Sequence, residues 1–160
     1  MDIAALILWI ATAGGGFYLL GTWIAKGGAR PGNSNFPPPL ILGHFVLAAA
    51  GLVIWIIYVA TDSKAAGWIA FGLLAVVALL GFTMLARWIP TYRATHTRAA
   101  APSSGGASGA PTSHVATAPA ATVAARAERH FPLAVVIGHG LLAATTLVLV
   151  LLTVLEVGGS

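Results

Sequence analysis

Two histidines carry the chemistry this sequence offers, and each arrives in the same setting. Phe36-Pro37 is followed, six residues after the proline, by Gly43-His44, and Phe131-Pro132 leads at the same spacing to Gly138-His139. Each copy opens a long apolar run, which places one imidazole eight residues past each phenylalanine. At a rise of ~1.5 Å per residue that is ~12 Å along a helix, well inside a hydrocarbon core ~30 Å thick. An ionisable side chain in hydrocarbon is costly, and by default it marks function. Imidazole binds haem iron, so two imidazoles at one depth suggest the two axial ligands of a single b-type haem. A glycine beside each histidine, Gly43 and Gly138, removes a side chain that would crowd a flat macrocycle.

The elements that position these residues are membrane helices. Four apolar stretches reach the ~20 residues a spanning helix needs: about Ile3 to Ala25, Pro38 to Ala60, Ala66 to Ile89, and Phe131 to Val157. In lipid each backbone polar group must be satisfied within its own segment, so the stretches are expected to be helices. Alternation of apolar and polar residues is missing, which excludes a membrane β-barrel. The 160-residue chain is 58% hydrophobic and only 8% charged, with a mean hydropathy of +0.91. A soluble domain carries about 25% charged residues, so this chain lacks the charge to cover a water-facing surface. With no cysteine there is no disulfide, thiolate metal site or cysteine nucleophile. The first stretch reads as a membrane helix and not a cleaved leader, because Asp2 is the only early charge.

The formal charge of +4 follows topology and does not imply nucleic acid. Lys26 and Arg30 lie between the first two stretches. Arg87, Arg93, Arg98, Arg126 and Arg129, opposed by Glu128 alone, lie between the last two. Basic loops stay cytoplasmic, so both termini are expected outside the plasma (inner) membrane of a multi-pass protein. Trp9, Trp23, Trp68 and Trp88 fall near the predicted helix ends, where aromatic belts form. Residues from about 94 to 127 are rich in Ala, Ser, Thr, Pro and Gly, which reads as a disordered cytoplasmic linker containing His96 and His114 as solvated side chains.

The two motifs belong to a longer repeat. Gly16-Phe17, Leu20 and Trp23-Ile24 recur as Gly81-Phe82, Leu85 and Trp88-Ile89, an offset of 65 residues, whereas Phe36 and Phe131 are 95 apart. The offsets differ by about the length of the linker. The economical account is a tandem-duplicated two-helix hairpin: a first transmembrane hairpin over 1–61, and a second over 62–157 that carries the linker. A parallel repeat puts a pseudo-two-fold axis along the membrane normal and makes His44 and His139 equivalent.

Three functions fit. In the first, one haem b is held between His44 and His139 for electron transfer or a respiratory accessory role, with Arg87, Arg93 and Lys26 near the propionates. In the second, a non-catalytic accessory or scaffold subunit uses the histidines for hydrogen bonds across helices, to Thr145, Thr146 or backbone carbonyls. In the third, the imidazoles form a proton or ion pathway, though no Asp, Glu, Lys or Arg lies mid-span to share the work. Zinc wants at least three protein ligands, and His130 has Asn35 as its counterpart in the first copy, so it is read as an interfacial residue. No two of Asp2, Asp62, Glu128 and Glu156 pair within a span, so an enzyme using carboxylate acid–base chemistry is not expected. The partners expected are the lipid bilayer and a redox partner or larger membrane complex.

The Phe-Pro-(five residues)-Gly-His openings at Phe36 and Phe131, with the Ala/Pro/Arg-rich linker, resemble small four-helix membrane proteins of the actinobacterial type, whose function is not assigned. The architecture is also similar to that of four-helix membrane cytochromes b with bis-histidine haems. That resemblance implies an axial-ligand role for His44 and His139. It supports one haem, because the first and third helices carry no histidine. The expected fold is therefore an all-α, integral membrane four-helix bundle.

Overall fold

The computed structural model describes residues 1–99 and 126–156, with side chains described through residue 94 in the first stretch. Helix α1 spans Asp2–Ala25, α2 Pro38–Thr61, α3 Lys64–Ala99 and α4 Leu133–Val154, and a 3-10 turn over Ala127–His130 leads into α4. Among the described residues, these four helices are long and apolar enough to cross a membrane. Pro38 starts α2 at a position where the missing N–H costs nothing. At the other end Asp62 stops it by turning left-handed (φ 52°), a conformation Asp tolerates better than most residues. Its N–H still donates to Tyr58 O at 2.8 Å.

The short Asp62–Ser63 link sends α3 back along α2. The closest helix pairs are α2 with α3 and α1 with α4, and the contacts of α3 with α4 and α1 with α2 close the ring. One end of the bundle gathers the start of α1, the α2–α3 link and the end of α4. There Trp55 Nε1 donates to Asp2 O at 3.3 Å, and Lys64 pairs with Glu156. This is the turn end. The opposite, loop end gathers residues 26–37 and 126–132.

Each half of the bundle has its own apolar cluster. Ala5, Trp9, Trp55, Ala70, Leu74 and Val150 fill the turn-end half, and Trp23, Phe36, Ile41, Trp88 and Ala127 fill the loop-end half. Lipid tails are as apolar as these side chains, so the gain is close packing, not escape from water. The tryptophans correct an expectation here. Trp9, Trp23, Trp55 and Trp88 are all buried in the bundle, and only Trp68, 46% exposed, faces outward as a belt residue would. Phe36 is likewise buried, stacked on Phe131 with ring centroids 6.2 Å apart, so the pair bridges the two motifs.

Helix α3 also differs from expectation. It begins at Lys64 and runs through Pro90 to Ala99, although a proline inside a helix removes one backbone hydrogen bond. The turn beyond Pro90 is held by packing at the loop end. Thr91 is buried and accepts a hydrogen bond from Asn35 Nδ2 at 2.9 Å, and Tyr92 lies against Trp88 at 4.8 Å. Most of the stretch expected to be a disordered linker lies outside the described residues, with His114 and the side chain of His96. Its described edges are helix before residue 100 and a packed turn at Ala127–His130.

Polar groups clasp that turn to the α1–α2 loop. Ala127 N–H donates to Asn33 O at 2.9 Å, Asn35 N–H to Glu128 Oε1 at 2.8 Å, and Trp88 Nε1 to Glu128 O at 3.1 Å. On the loop itself, Ser34 Oγ accepts from Trp23 Nε1 at 2.9 Å and from Phe36 N–H at 3.0 Å. Backbone that leaves a helix needs such partners wherever it is buried.

Candidate functional site

Between the two apolar clusters lies a layer that contains both histidines. His44 on α2 reaches α3, with Nδ1 3.1 Å from Val77 O. His139 on α4 reaches α1, with Nδ1 2.9 Å from Thr12 O. A carbonyl oxygen only accepts, so each Nδ1 carries a hydrogen and donates it. In a neutral imidazole this leaves Nε2 as a bare lone pair, the atom a metal would take. Neither Nε2 has a hydrogen-bond partner among the described residues. The fully enclosed, unpartnered side-chain atom there is Glu128 Oε2, so both Nε2 atoms keep some open space.

The carbonyls that the two rings reach share a sequence offset with other residues of the chain. Thr12 and Val77 are 65 residues apart, the offset that also relates Gly16 to Gly81 and Trp23 to Trp88. Each ring lies against the glycine one turn beyond its carbonyl. A Cβ on Gly16 would sit 3.2 Å from His139 Cε1, and one on Gly81 3.5 Å from His44 Cε1. Gly15 adds to the His139 seat, 3.4 Å from Nδ1. Without side chains here, α1 and α3 let the Cε1–Nδ1 edge of each imidazole approach the backbone and reach the carbonyl. The ring centroids are 6.4 Å apart and the planes are tilted by 57°. That lies within the range of about 4.5–7 Å over which ring pairs interact.

The remaining candidates are placed as follows. Gly43 and Gly138 border open space, since a Cβ at either would meet nothing within 4 Å. The close helix approach is at Gly51 instead, where a Cβ would lie 3.1 Å from the Trp9 ring. Thr145 and Thr146 do not meet the histidines. Their hydroxyls donate to Leu141 O at 2.9 Å and Leu142 O at 2.8 Å in their own helix. His130 is exposed in the 3-10 turn, with Nδ1 3.2 Å from Ala127 O. Arg87 Nη1 donates to Asn35 O at 3.0 Å, tying that arginine to the loop end. No group of three or more His, Cys, Asp or Glu placed to hold a metal ion occurs among the described residues.

Several residues escape the sequence reading. Gly15, Gly16, Gly81, Thr12 and Val77 form the seats of the rings. The 65-residue offset already singled out Gly16 and Gly81, and hydropathy alone gave no reason to connect them with the histidines of the other two helices. Glu128, read as one of the polar neighbours of an interfacial turn, is fully buried, with one carboxylate oxygen bonded and the other enclosed without a partner. The chain matches no protein family, no curated protein and no solved structure.

Proposed function

We propose that this chain is a multi-pass plasma-membrane protein that holds one b-type haem between His44 and His139 and serves single-electron transfer, as a small carrier or a respiratory accessory subunit. The observation that carries the reading is the histidine layer. Two imidazoles on two helices have centroids 6.4 Å apart, and both Nδ1–H groups are committed to main-chain carbonyls. A hydrogen bond that fixes the tautomer and orientation of a ligand ring is the usual support for a metal-binding histidine. Bound there, the group would supply a one-electron ferric/ferrous couple. His44 and His139 would hold the iron through Nε2, while the Gly16 and Gly81 seats keep each ring oriented. Arg87, Arg93 and Lys26, toward the loop end, would neutralise the propionates. With His44 and His139 both holding it, the group would serve electron transfer and not the binding of oxygen or substrate.

The same proposal treats the chain as a tandem-duplicated hairpin with both termini outside. Support comes from paired positions such as Ala5 and Ala70, both fully buried at the 65-residue offset, and Trp55 and Val150, both fully buried at the 95-residue offset.

One observation favours a second reading, a scaffold or accessory subunit without a cofactor. Each histidine already makes a hydrogen bond between helices, and such a bond in a membrane contributes about 0.6–2 kcal/mol. The two bonds would then staple α2 to α3 and α4 to α1.

Visible spectra of the detergent-purified protein, oxidised and dithionite-reduced, separate the two readings. The haem reading expects a Soret band and sharp reduced α and β bands, lost in both His44→Ala and His139→Ala. A protein that stays colourless when haem is supplied during expression, yet remains folded, would reject it in favour of the staple.

A further inference from the structure

We propose that the loop end of the bundle is the docking face for an acidic, water-soluble electron carrier, and that electrons reach and leave the histidine layer only from that end. The inference rests on the haem reading. Its first support is depth. His44 lies six residues past Pro38 and seventeen before Thr61, which at ~1.5 Å per residue places the layer about 9 Å from one end of α2 and about 26 Å from the other. Its second support is packing. Beyond the layer, the turn-end half is closed by Trp9, Trp55, Leu74 and Val150, and Trp9 already presses on Gly51. No histidine of the sequence falls in that half to hold a second haem.

Its third support is charge. Arg30 and Arg129 are exposed at the loop end, in addition to Lys26, Arg87 and Arg93, which the haem reading gives to the propionates. Glu128, the one acid there among the described residues, is buried, with Oε1 taken by Asn35 N–H. The turn end carries Asp2, Asp62 and Glu156 against Lys64. A face of one sign steers oppositely charged partners and raises their association rate, an effect that salt suppresses. The exchange would be outer-sphere: the carrier would give up one electron to a haem held by His44 and His139, or take one from it, with no bond made or broken.

The test uses the haem-loaded protein in zwitterionic phosphatidylcholine vesicles, sorted by orientation through trypsin cleavage of the loop end. Prereduced protein is oxidised by external ferricyanide, an impermeant anion, or by hexaammineruthenium(III), an impermeant cation. Molecules with the loop end outward should react with ferricyanide, with a rate that falls about tenfold from low to high salt. Molecules with the turn end outward should not react. Arg30→Gln with Arg129→Gln should slow ferricyanide severalfold and quicken the cation. Equal rates for the two probes, or reaction from the turn end, would overturn the proposal while leaving the haem in place. Loss of the salt dependence on adding phosphatidylglycerol would show that lipid headgroups cover this face, and would overturn it too. A colourless protein removes the haem reading, and this inference with it.

Discussion

Adding one methyl group at Gly16 and at Gly81 separates the two histidine seats. Alanine is favoured over glycine in a helix by about 0.8–1.0 kcal/mol. At Gly81 the new Cβ would lie 3.5 Å from His44 Cε1, an ordinary contact, so most of that gain should survive. At Gly16 it would lie 3.2 Å from His139 Cε1, and the ring must give way. The ring is poorly free to do so, because its Nδ1–H bonds to Thr12 O at 2.9 Å on the same face of α1. Overpacking of this kind costs about 1–3 kcal/mol. Gly81→Ala should therefore stabilise the protein by about 0.5–1 kcal/mol, and Gly16→Ala should leave it unchanged or destabilise it by up to about 2 kcal/mol. The assay is unfolding of the detergent-solubilised protein by added sodium dodecyl sulfate, read by tryptophan fluorescence. Repeating Gly16→Ala in a His139→Ala background completes a double-mutant cycle. With the ring gone, the penalty should vanish and Gly16→Ala should behave like Gly81→Ala. Equal effects at the two glycines, or a penalty that persists without the imidazole, would show that the ring does not rest on α1 as described.

Two further outcomes follow from burial. Trp55→Ala empties a fully buried site and should cost about 3–5 kcal/mol in the same unfolding assay, whereas Trp68→Ala, at a residue 46% exposed, should cost less than about 1 kcal/mol; similar losses at both would contradict the inward placement of Trp55. Glu128→Ala leaves Asn35 N–H without its acceptor and should cost about 1–3 kcal/mol, whereas Glu128→Gln keeps an acceptor oxygen and should lose less, so a glutamine variant as damaged as the alanine one would place the importance of Glu128 outside that hydrogen bond.

The helices were legible because hydrocarbon leaves the backbone one economical answer, and a run such as Ile41 to Ala60 announces it. The histidine pair was legible because Phe-Pro and Gly-His recur at the same spacing in both settings. Which face of each helix turns inward was not. The runs are apolar all round, so no amphipathic stripe marks the side that packs. Trp9 and Trp23 were therefore assigned to the interface by their distance from the helix ends, while the structure turns both indoles into the bundle. The seats at Gly16 and Gly81 were visible as a repeat and invisible as a contact, since the rings they carry come from helices with a different offset. The third apolar stretch was expected to end at about Ile89, just before Pro90. What carries α3 past it is the anchoring of Thr91 and Tyr92, which no local signal encodes. Glu128 looked like surface charge because its partners, Asn35 and Trp88, are distant in sequence.

The pairing of α1 with α4 has a consequence for how the protein is made. The bond between His44 and Val77 spans 33 residues and can close as soon as α3 has left the ribosome. Its counterpart between His139 and Thr12 spans 127 residues and must wait for α4. During that interval α1 has only its lesser contact with α2, and the Thr12 carbonyl and the Gly15-Gly16 surface are left to lipid or to the insertion machinery. The two halves of a near-symmetrical layer are thus completed at different times. A nascent chain interrupted before α4 holds one finished imidazole seat and one vacant one, so the paired arrangement itself reports that synthesis of the bundle has run through its fourth helix.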